Sequence, residues 1–233
     1  MALNRRHLLL GTGAALALAA CGRSEPPQRA ATADTRIDVE QYLPPAPAPA
    51  ASGPVVTILG DSITAGLGLP AAQALPARLQ AALTAAGSSL RVRGAGVSGD
   101  TLEAGLSRLD FSIGDDTAIC VVALGGNDLL RGTPVERVRA DLTTIVSRLK
   151  ARRIRVVLAG VAAPNRASGP YGREFAAAFA EVARAQRVEA FVPNLLEGVG
   201  PELRQADGLH PNAAGVEVMV RRLAPLLTVQ PAR

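Results

Sequence analysis

Five short apolar segments, separated by longer amphipathic ones, constrain the fold of this sequence more than any other feature. Each is rich in valine, isoleucine, leucine or alanine, and we predict β-strands at residues 55–59, 90–93, 118–124, 154–160 and 188–192. Continuously apolar strands are typical of a parallel sheet that is covered by helices on both faces. The alternation of strands with helices therefore predicts an α/β fold built on a parallel sheet.

The segments between the strands have helical spacing. Residues 71–87 carry leucines four positions apart and end on Gly87, a residue type that is common just after a helix end. Residues 133–153 predict a longer helix, with Thr133 as its N-cap and Pro134 at the first helical position. Two further amphipathic segments follow later in the chain.

Glycines and polar residues follow several of the predicted strands. They occur at Gly60-Asp61-Ser62, at 94–100 and at 125–128, and a last group at 207–210 precedes the final helix. In open parallel sheets, ligands bind at the carboxyl ends of the strands. We therefore expect these segments to meet at one edge of the sheet and to form the functional site there.

A phosphate-binding site is one interpretation of these glycines. The segment after the first strand lacks a Gly-Lys-Ser/Thr sequence, which excludes a Walker-type loop. Gly94, Gly96 and Gly99 do form a GxGxxG pattern, but it follows the second strand rather than the first. The next strand also does not end in the acidic residue that would bind a ribose, so a dinucleotide site is disfavoured.

A nucleophilic serine is the second interpretation, and a serine that merely caps the following helix is the third. A serine hydroxyl needs a base, which is most often histidine. His7 lies in the N-terminal segment, so His210 is the candidate base, and Asp207 is close enough to orient its imidazole. Residue 64 is threonine, so Ser62 does not lie in the G-x-S-x-G elbow of α/β-hydrolases.

An oxyanion formed by such a serine would also need hydrogen-bond donors. Gly99 offers a backbone N–H where the chain can approach a ligand closely, and Asn127 offers a side-chain amide within a glycine turn. Asn127 could equally be an ordinary turn residue. Asp61 and Asp128 are expected to be helix-cap or turn residues in either case.

Four segments occur in an order that resembles one hydrolase family. They are GDSIT at 60–64, GVSGDT at 96–101, LGGNDLLRG at 124–132 and DGLHPN at 207–212. Together they resemble the SGNH, or GDSL-type, hydrolases across residues 55–227. The resemblance implies a flavodoxin-like three-layer α/β/α sandwich with about five parallel strands.

The resemblance also implies roles for individual residues. Ser62 would be the nucleophile, with Asp207 and His210 completing the triad. The Ser62 and Gly99 amides and the Asn127 side chain would bind the oxyanion. Similarity is greatest to the TesA-like branch of arylesterases, thioesterases and lysophospholipases, which implies an acyl ester, thioester or lipid substrate.

Two other functions fit the same residues. A carbohydrate O-deacetylase would use the same triad on acetyl groups. A lipid or ligand carrier would keep the fold without reacting at Ser62. In the segment APNRASGP at 163–170, Asn165 lies well ahead of Tyr171, which departs from the family pattern and concerns the shape of the acyl pocket rather than the chemistry.

The N-terminal region has the layout of a bacterial lipoprotein. A basic start at Arg5-Arg6 precedes an apolar run, and Leu18-Ala19-Ala20-Cys21 resembles the lipobox in which Cys21 becomes lipidated. We expect export to the periplasm or cell envelope and a membrane anchor through that lipid. The predicted divisions are a signal peptide at 1–20, a lipidated Cys and Pro/Ala-rich linker at 21–54, the hydrolase domain at 55–228 and a tail at 229–233.

Composition excludes several other partners. Aromatic residues make up 3% of the chain, tryptophan is absent and the net charge of +5 comes from dispersed arginines, so we expect no nucleic-acid partner. Without the signal peptide, His210 and Cys120 are too few to form a usual zinc site, and we expect neither metal nor cofactor. Cys120 lies in an apolar strand and is predicted to be a buried, inert thiol. We expect a monomer.

Overall fold

A five-stranded parallel sheet forms the centre of the protein. The computed structural model describes residues 52–160 and 169–227. The strands are β1 (Val55–Gly60), β2 (Arg91–Gly96), β3 (Thr117–Ala123), β4 (Arg155–Ala159) and β5 (Ala190–Val192). All neighbouring strands are parallel, in the spatial order β2-β1-β3-β4-β5. The predicted α/β fold with a flavodoxin-like sheet is confirmed.

Eight α-helices connect or follow the strands within the described residues. They are α1 (Ser62–Ala65), α2 (Leu75–Ala85), α3 (Leu102–Ser107), α4 (Leu109–Ser112), α5 (Gly126–Arg131), α6 (Val135–Ala151), α7 (Pro170–Ala185) and α8 (Ala213–Leu223). Short 3₁₀ turns occur at Ala71–Gln73, Pro201–Leu203 and Ala224–Leu226. None of the helices described is long and apolar enough to cross a membrane.

Two apolar cores lie on opposite faces of the sheet, because successive side chains of a strand point to opposite faces. In β3, Cys120 and Val122 join the core that also contains residues of α3, α5, α6 and α7. Ile119 and Val121 join the core that contains residues of α2 and α8. Both faces of the inner strands are therefore covered, which explains why their sequences are continuously apolar.

Strand β2 differs from that expectation. Its Arg91 is exposed and its Arg93 is half-buried, and no residue of the strand is fully buried. The reason is its position at the edge of the sheet, where it pairs only with β1. Charged side chains on an edge strand also disfavour pairing with another chain.

The predicted start of the long helix is wrong by one residue. The N-cap of α6 is Pro134, and Val135 is the first helical residue. Thr133 belongs to the preceding turn, because its N–H donates to the Asp128 carbonyl (3.0 Å) and its own carbonyl accepts from the Tyr171 hydroxyl (2.6 Å). The segment at 71–87 likewise divides into a 3₁₀ turn and α2.

Several sequence predictions lie outside the described residues. These are the signal peptide, the lipidated Cys21, the linker up to residue 51, the tail at 229–233 and residues 163–168 of the altered loop. Cys120 is described, and it is a free, buried thiol. Burial raises its pKa to about 12, which disfavours the thiolate, and the prediction that this thiol is buried is confirmed.

Candidate active site

Two glycines allow Ser62 to lie at the carboxyl edge of the sheet. A Cβ on Gly60 would lie 2.0 Å from Thr64 Oγ1, and a Cβ on Gly96 would lie 2.5 Å from the Ala65 nitrogen. Neither position can therefore carry a side chain while α1 packs directly against the ends of β1 and β2. This close packing turns the chain immediately after β1 and leaves Ser62 at the start of α1.

Asp61, rather than Ser62, caps the helix that follows β1. The Ile63 N–H donates to Asp61 Oδ1 (3.0 Å), which makes Asp61 the N-cap of α1. The Ser62 hydroxyl is instead 2.8 Å from His210 Nε2. The interpretation of Ser62 as a capping serine is therefore wrong, and the prediction that Asp61 is a cap residue is confirmed.

A chain of hydrogen bonds links Ser62, His210 and Asp207. His210 Nδ1 lies 2.6 Å from Asp207 Oδ2, and the other carboxylate oxygen accepts the backbone N–H groups of Leu209 (2.9 Å) and His210 (3.0 Å). With its proton on Nδ1, neutral imidazole donates to Asp207 and accepts from the Ser62 hydroxyl at Nε2. This is the geometry that a serine nucleophile with a histidine base requires. We call residues 207–210 the Asp207–His210 turn.

Two carboxylates beside this chain have opposite pKa shifts. The hydrogen bond with His210, followed by the two backbone N–H groups, lowers the pKa of Asp207 to about 2. Burial raises the pKa of Asp61, whose residue is only 2% exposed, to about 6. Asp207 is thus ionised at neutral pH and can orient His210, whereas the charge of Asp61 is lost under mildly acidic conditions.

Gly99 lies in a tight turn beyond the end of β2. The Asp100 N–H donates to the Val97 carbonyl (3.1 Å), and Gly99 has a φ of +87° at the third position of this turn. That conformation requires glycine even though a Cβ there would meet nothing within 4 Å. Among the described residues, no hydrogen bond is made by the Gly99 amide, so it is free to donate to a ligand. We call residues 97–100 the Gly99 turn.

Asn127 lies in the first turn of α5, not in an irregular glycine turn. Its Nδ2 donates to the Asp100 carbonyl (2.9 Å) and lies 3.4 Å from Asp61 Oδ2. Gly125 supplies the left-handed residue, with a φ of +111°, that starts this helix directly after β3. Asn127 therefore lies between Asp61, which precedes Ser62, and Asp100, which follows Gly99.

Asp128 is buried and accepts a hydrogen bond from the first turn of another helix. Its Oδ2 accepts the N–H of Leu102 (2.9 Å), the first residue of α3. Burial raises the pKa of Asp128. The prediction that Asp128 is a helix-cap or turn residue is wrong, because Asp128 is a helical residue of α5, whose N-cap is Gly125, and the N-cap of α3 is Thr101.

A pocket with apolar walls adjoins Ser62 and His210. Asp61, Gly126 and Asn127 also line it, and its apolar side chains are Ile63, Leu130, Leu196 and Leu209. Sequence reasoning missed these four residues, because nothing in their local pattern separates a pocket wall from a core position. Apolar walls beside a serine hydroxyl are suited to the acyl group of an ester.

Within the described residues, this geometry supports neither a dinucleotide site nor a metal site. Gly94 and Gly96 are strand residues of β2, so the GxGxxG pattern does not form a single phosphate-binding turn. In the part of the chain that the structure describes, no group of three or more His, Cys, Asp or Glu residues could hold a metal ion.

Comparisons with known proteins agree with this geometry. Residues 58–218 match the model of the GDSL-like lipase/acylhydrolase family. The chain is 36% identical to esterase TesA of Pseudomonas aeruginosa over 180 residues, which cover 76% of this chain and 89% of that protein. It is 32% identical to thioesterase 1/protease 1/lysophospholipase L1 of Escherichia coli K12 over 185 residues, which cover 76% and 87% of the two chains.

A solved structure is also similar to this chain in fold. The crystal structure of TesA superposes with a TM-score of 0.70 at 35% identity, covering 74% of this chain and 97% of that chain. The chain therefore belongs to the GDSL-like lipase/acylhydrolase family. The fold is that of the SGNH hydrolases, and the predicted class of enzyme, an ester hydrolase, is confirmed.

Proposed function

We propose that this protein is a serine esterase in which Ser62 is the nucleophile, His210 the general base and Asp207 the residue that orients His210. The observation that carries the proposal is the continuous contact from the Ser62 hydroxyl to His210 Nε2 (2.8 Å) and from His210 Nδ1 to Asp207 (2.6 Å). The ionised state of Asp207 at neutral pH supports it, because a carboxylate there stabilises the imidazolium that forms.

The reaction follows from these contacts. Ser62 Oγ attacks the ester carbonyl as its proton passes to His210 Nε2. The tetrahedral intermediate collapses, its bond to the leaving oxygen or sulfur breaks, and His210 returns the proton to the leaving alcohol or thiol. Water, deprotonated by His210, then attacks the acyl-Ser62 carbonyl, the bond to Ser62 Oγ breaks as His210 returns the proton to that oxygen, and the carboxylic acid leaves.

Three donors are proposed to stabilise the oxyanion in both steps. They are the Ser62 and Gly99 amides and the Asn127 side chain. The support for Gly99 is its unpaired amide in an open turn, and the support for Asn127 is its position in the pocket beside Ser62. Donors of this kind act on charge that develops only in the transition state.

The proposed substrates are carboxylic esters and thioesters with an apolar acyl group, such as aryl esters, acyl thioesters or lysophospholipids. The apolar walls formed by Ile63, Leu130, Leu196 and Leu209 beside Ser62 support an acyl group of this kind. The relatives named esterase TesA and thioesterase 1/protease 1/lysophospholipase L1 point in the same direction.

A fluorophosphonate probe tests the nucleophile. We expect the probe to modify Ser62, located by peptide mass spectrometry, and to leave Ser62→Ala unlabelled. A series of p-nitrophenyl esters of increasing acyl length then tests the substrate class. Hydrolysis of several chain lengths supports the proposal, whereas activity confined to acetylated polysaccharide would indicate an O-deacetylase. A folded protein that neither reacts nor hydrolyses would indicate a carrier.

We also propose that the protein is an exported lipoprotein of the cell envelope that is anchored through Cys21. The support is the sequence layout of residues 1–21, in which a basic start and an apolar run lead to Leu-Ala-Ala-Cys. Mass spectrometry of the protein from membranes should give a chain that begins at an acylated Cys21. An unmodified N-terminus elsewhere would overturn this proposal.

A further inference from the structure

Arg108, which lies between α3 and α4, makes hydrogen bonds to four different residues near the site. Its Nε donates to Asp100 Oδ2 (2.6 Å), and its Nη1 donates to Ser112 Oγ (2.8 Å). Its Nη2 donates to the backbone carbonyls of Gly60 (2.9 Å) and Ala95 (3.0 Å). A planar guanidinium is suited to binding several acceptors at fixed angles in this way.

These contacts join the two chain segments that carry the proposed site. Gly60 is the last residue of β1 and is separated from Ser62 only by Asp61. Asp100 directly follows Gly99. The Arg108 side chain therefore bonds both the backbone at the end of β1, which precedes the proposed nucleophile Ser62, and the turn that contains the Gly99 amide.

Helix α5 holds the same turn from its other side. Asn127 Nδ2 donates to the Asp100 carbonyl (2.9 Å), and Arg131 Nη2 donates to the Gly99 carbonyl (3.0 Å). Two successive carbonyls after the Gly99 amide are thus fixed by α5, while the Asp100 carboxylate is fixed by Arg108. Asp100 is the residue at which both sets of contacts meet.

The charge of Asp100 gives Arg108 a second effect. The side chains of Arg108 and Asp100 are 18% and 12% exposed, so water screens this ion pair only partly. A carboxylate one residue from an oxyanion donor disfavours the developing negative charge. The guanidinium offsets that carboxylate and adds a positive charge beside the end of β1.

We propose that Arg108 is a positioning residue for the ester hydrolysis. Acting through Asp100, it fixes the Gly99 turn relative to Ser62 and neutralises the carboxylate beside the Gly99 amide. The proposal rests on the proposed function, because it presumes that an oxyanion forms at Ser62. Its specific consequence is that loss of Arg108 lowers kcat while KM stays nearly constant, since the oxyanion exists only after attack.

Steady-state kinetics of Arg108→Gln tests this consequence. We expect kcat for an aryl ester to fall about 100-fold, comparable to the loss of one oxyanion donor. We expect KM to change by less than about threefold. Arg108→Lys should lose less, because it keeps the charge but cannot reach all four acceptors. A folded Arg108→Gln with wild-type kcat, or one with a raised KM alone, would overturn the proposal.

A double-mutant cycle with Asp100→Asn separates positioning from general damage. Asp100→Asn removes the carboxylate that Arg108 neutralises, so Asp100→Asn/Arg108→Gln should have a higher kcat than Arg108→Gln alone. If Arg108 acted only by holding Asp100 in place, the double variant should be no more active than Arg108→Gln, and that result would contradict the electrostatic part of the proposal. If Arg108→Gln does not fold, Asp100→Asn alone should still lower kcat about tenfold at constant KM. Full kcat in Asp100→Asn would then overturn the proposal.

Arg152→Gln is the matched control. Arg152 is also a partly buried arginine that donates to a backbone carbonyl, that of Ile113 (2.7 Å), and to a carboxylate, that of Asp115 (3.1 Å). It lies before β4, at the amino edge of the sheet, so its loss should leave kcat within about twofold of wild type. Ser62→Ala, measured in parallel, keeps the two proposals distinct. If it retains activity, the proposed function fails, whereas an inactive Ser62→Ala with a fully active Arg108→Gln rejects only the role of Arg108.

Discussion

The two turns that flank Ser62 are stabilised in different ways. In the Asp207–His210 turn, the partners are two or three residues apart, and among the described residues every hydrogen bond to the Asp207 carboxylate comes from within the turn. The Gly99 turn is held by Arg108, Asn127 and Arg131, which donate across 8 to 32 residues of sequence. The Asp207 side chain is 47% exposed, whereas that of Asp100 is 12% exposed. The first turn is therefore held by local bonds, whereas the second is held by side chains from outside it.

This difference predicts different responses to mutation. Changes in the Asp207–His210 turn should alter chemistry and leave the fold nearly intact, because few buried contacts depend on it. Changes of Arg108, Asn127 and Asp100 should be coupled to one another, because Arg108 and Asn127 both donate to Asp100.

The largest effect is expected for His210→Gln. Ser62 has no other base within hydrogen-bond distance among the described residues, so we expect turnover of an aryl ester to fall by about 10⁴-fold or more. The thermal midpoint should change little, since the ring is bonded only to Ser62 and Asp207. Initial rates and a melting curve on the same preparation check both expectations. A rate within tenfold of wild type would exclude His210 as the base.

Asp207→Asn should have the next largest effect. The amide can no longer stabilise the imidazolium, and its NH₂ group competes for the proton position on Nδ1. We expect a loss of about 10²- to 10³-fold, smaller than for a fully buried orienting aspartate, because Asp207 is half exposed. Rates measured at high pH test whether Asp207 orients His210. The loss should persist at high pH if Asp207 fixes the tautomer of His210. Full recovery at high pH would contradict an orienting role.

Asn127→Ala tests the contacts of the Gly99 turn. The substitution removes a proposed oxyanion donor and also the bond to the Asp100 carbonyl. We expect kcat to fall about 10²- to 10³-fold with little change in KM. Its loss should be non-additive with that of Asp100→Asn and additive with that of Asp207→Asn. The reverse pattern of coupling would show that the two turns are not distinct units.

Asp61→Asn should have the smallest effect on activity but a clear effect on stability. Burial raises the folded-state pKa of Asp61 from 3.8 to about 6, so the folded protein binds this proton more tightly than the unfolded chain does. Its contribution to stability is therefore present in full below pH 3.8 and is lost as the pH rises through about 6.

At neutral pH, the fold must accommodate a buried ionised carboxylate that Asp61→Asn lacks. We expect the variant to gain about 1–3 kcal/mol of unfolding free energy at pH 8, with no gain at pH 4. The asparagine oxygen can still accept the Ile63 N–H, so the cap of α1 is retained. Urea unfolding at the two pH values measures the difference. An equal change at both would show that the charge of Asp61 is not the cause.

Much of the fold could be predicted from local sequence. All five strands lie where apolar runs predicted them, and Ser62, Gly99 and Asn127 follow strands as expected, because parallel strands end at a common edge. The start of α6 was mispredicted because the Thr133 carbonyl is bound by Tyr171, a contact that no local pattern reveals. Strand β2 departs from a continuous apolar pattern because its edge position follows from strand order rather than from composition.

The site shows the same limit. Asp207 and His210 could be paired from their spacing, since one turn brings them together. Arg108 could not be found, because its partners Gly60 and Asp100 come together only when β1 and β2 pair. The pKa of Asp61 could not be predicted either, because burial of a carboxylate depends on α1 packing against the sheet.

The central claim is that Ser62 carries the acyl group during the reaction. Rapid acid quenching of the enzyme during turnover of an aryl acetate, followed by peptide mass spectrometry, tests it most directly. We expect an acetyl group on Ser62 in the wild-type protein and neither acetylation nor turnover in Ser62→Ala. An acetyl group on another residue, or turnover by Ser62→Ala at the wild-type rate, would contradict it.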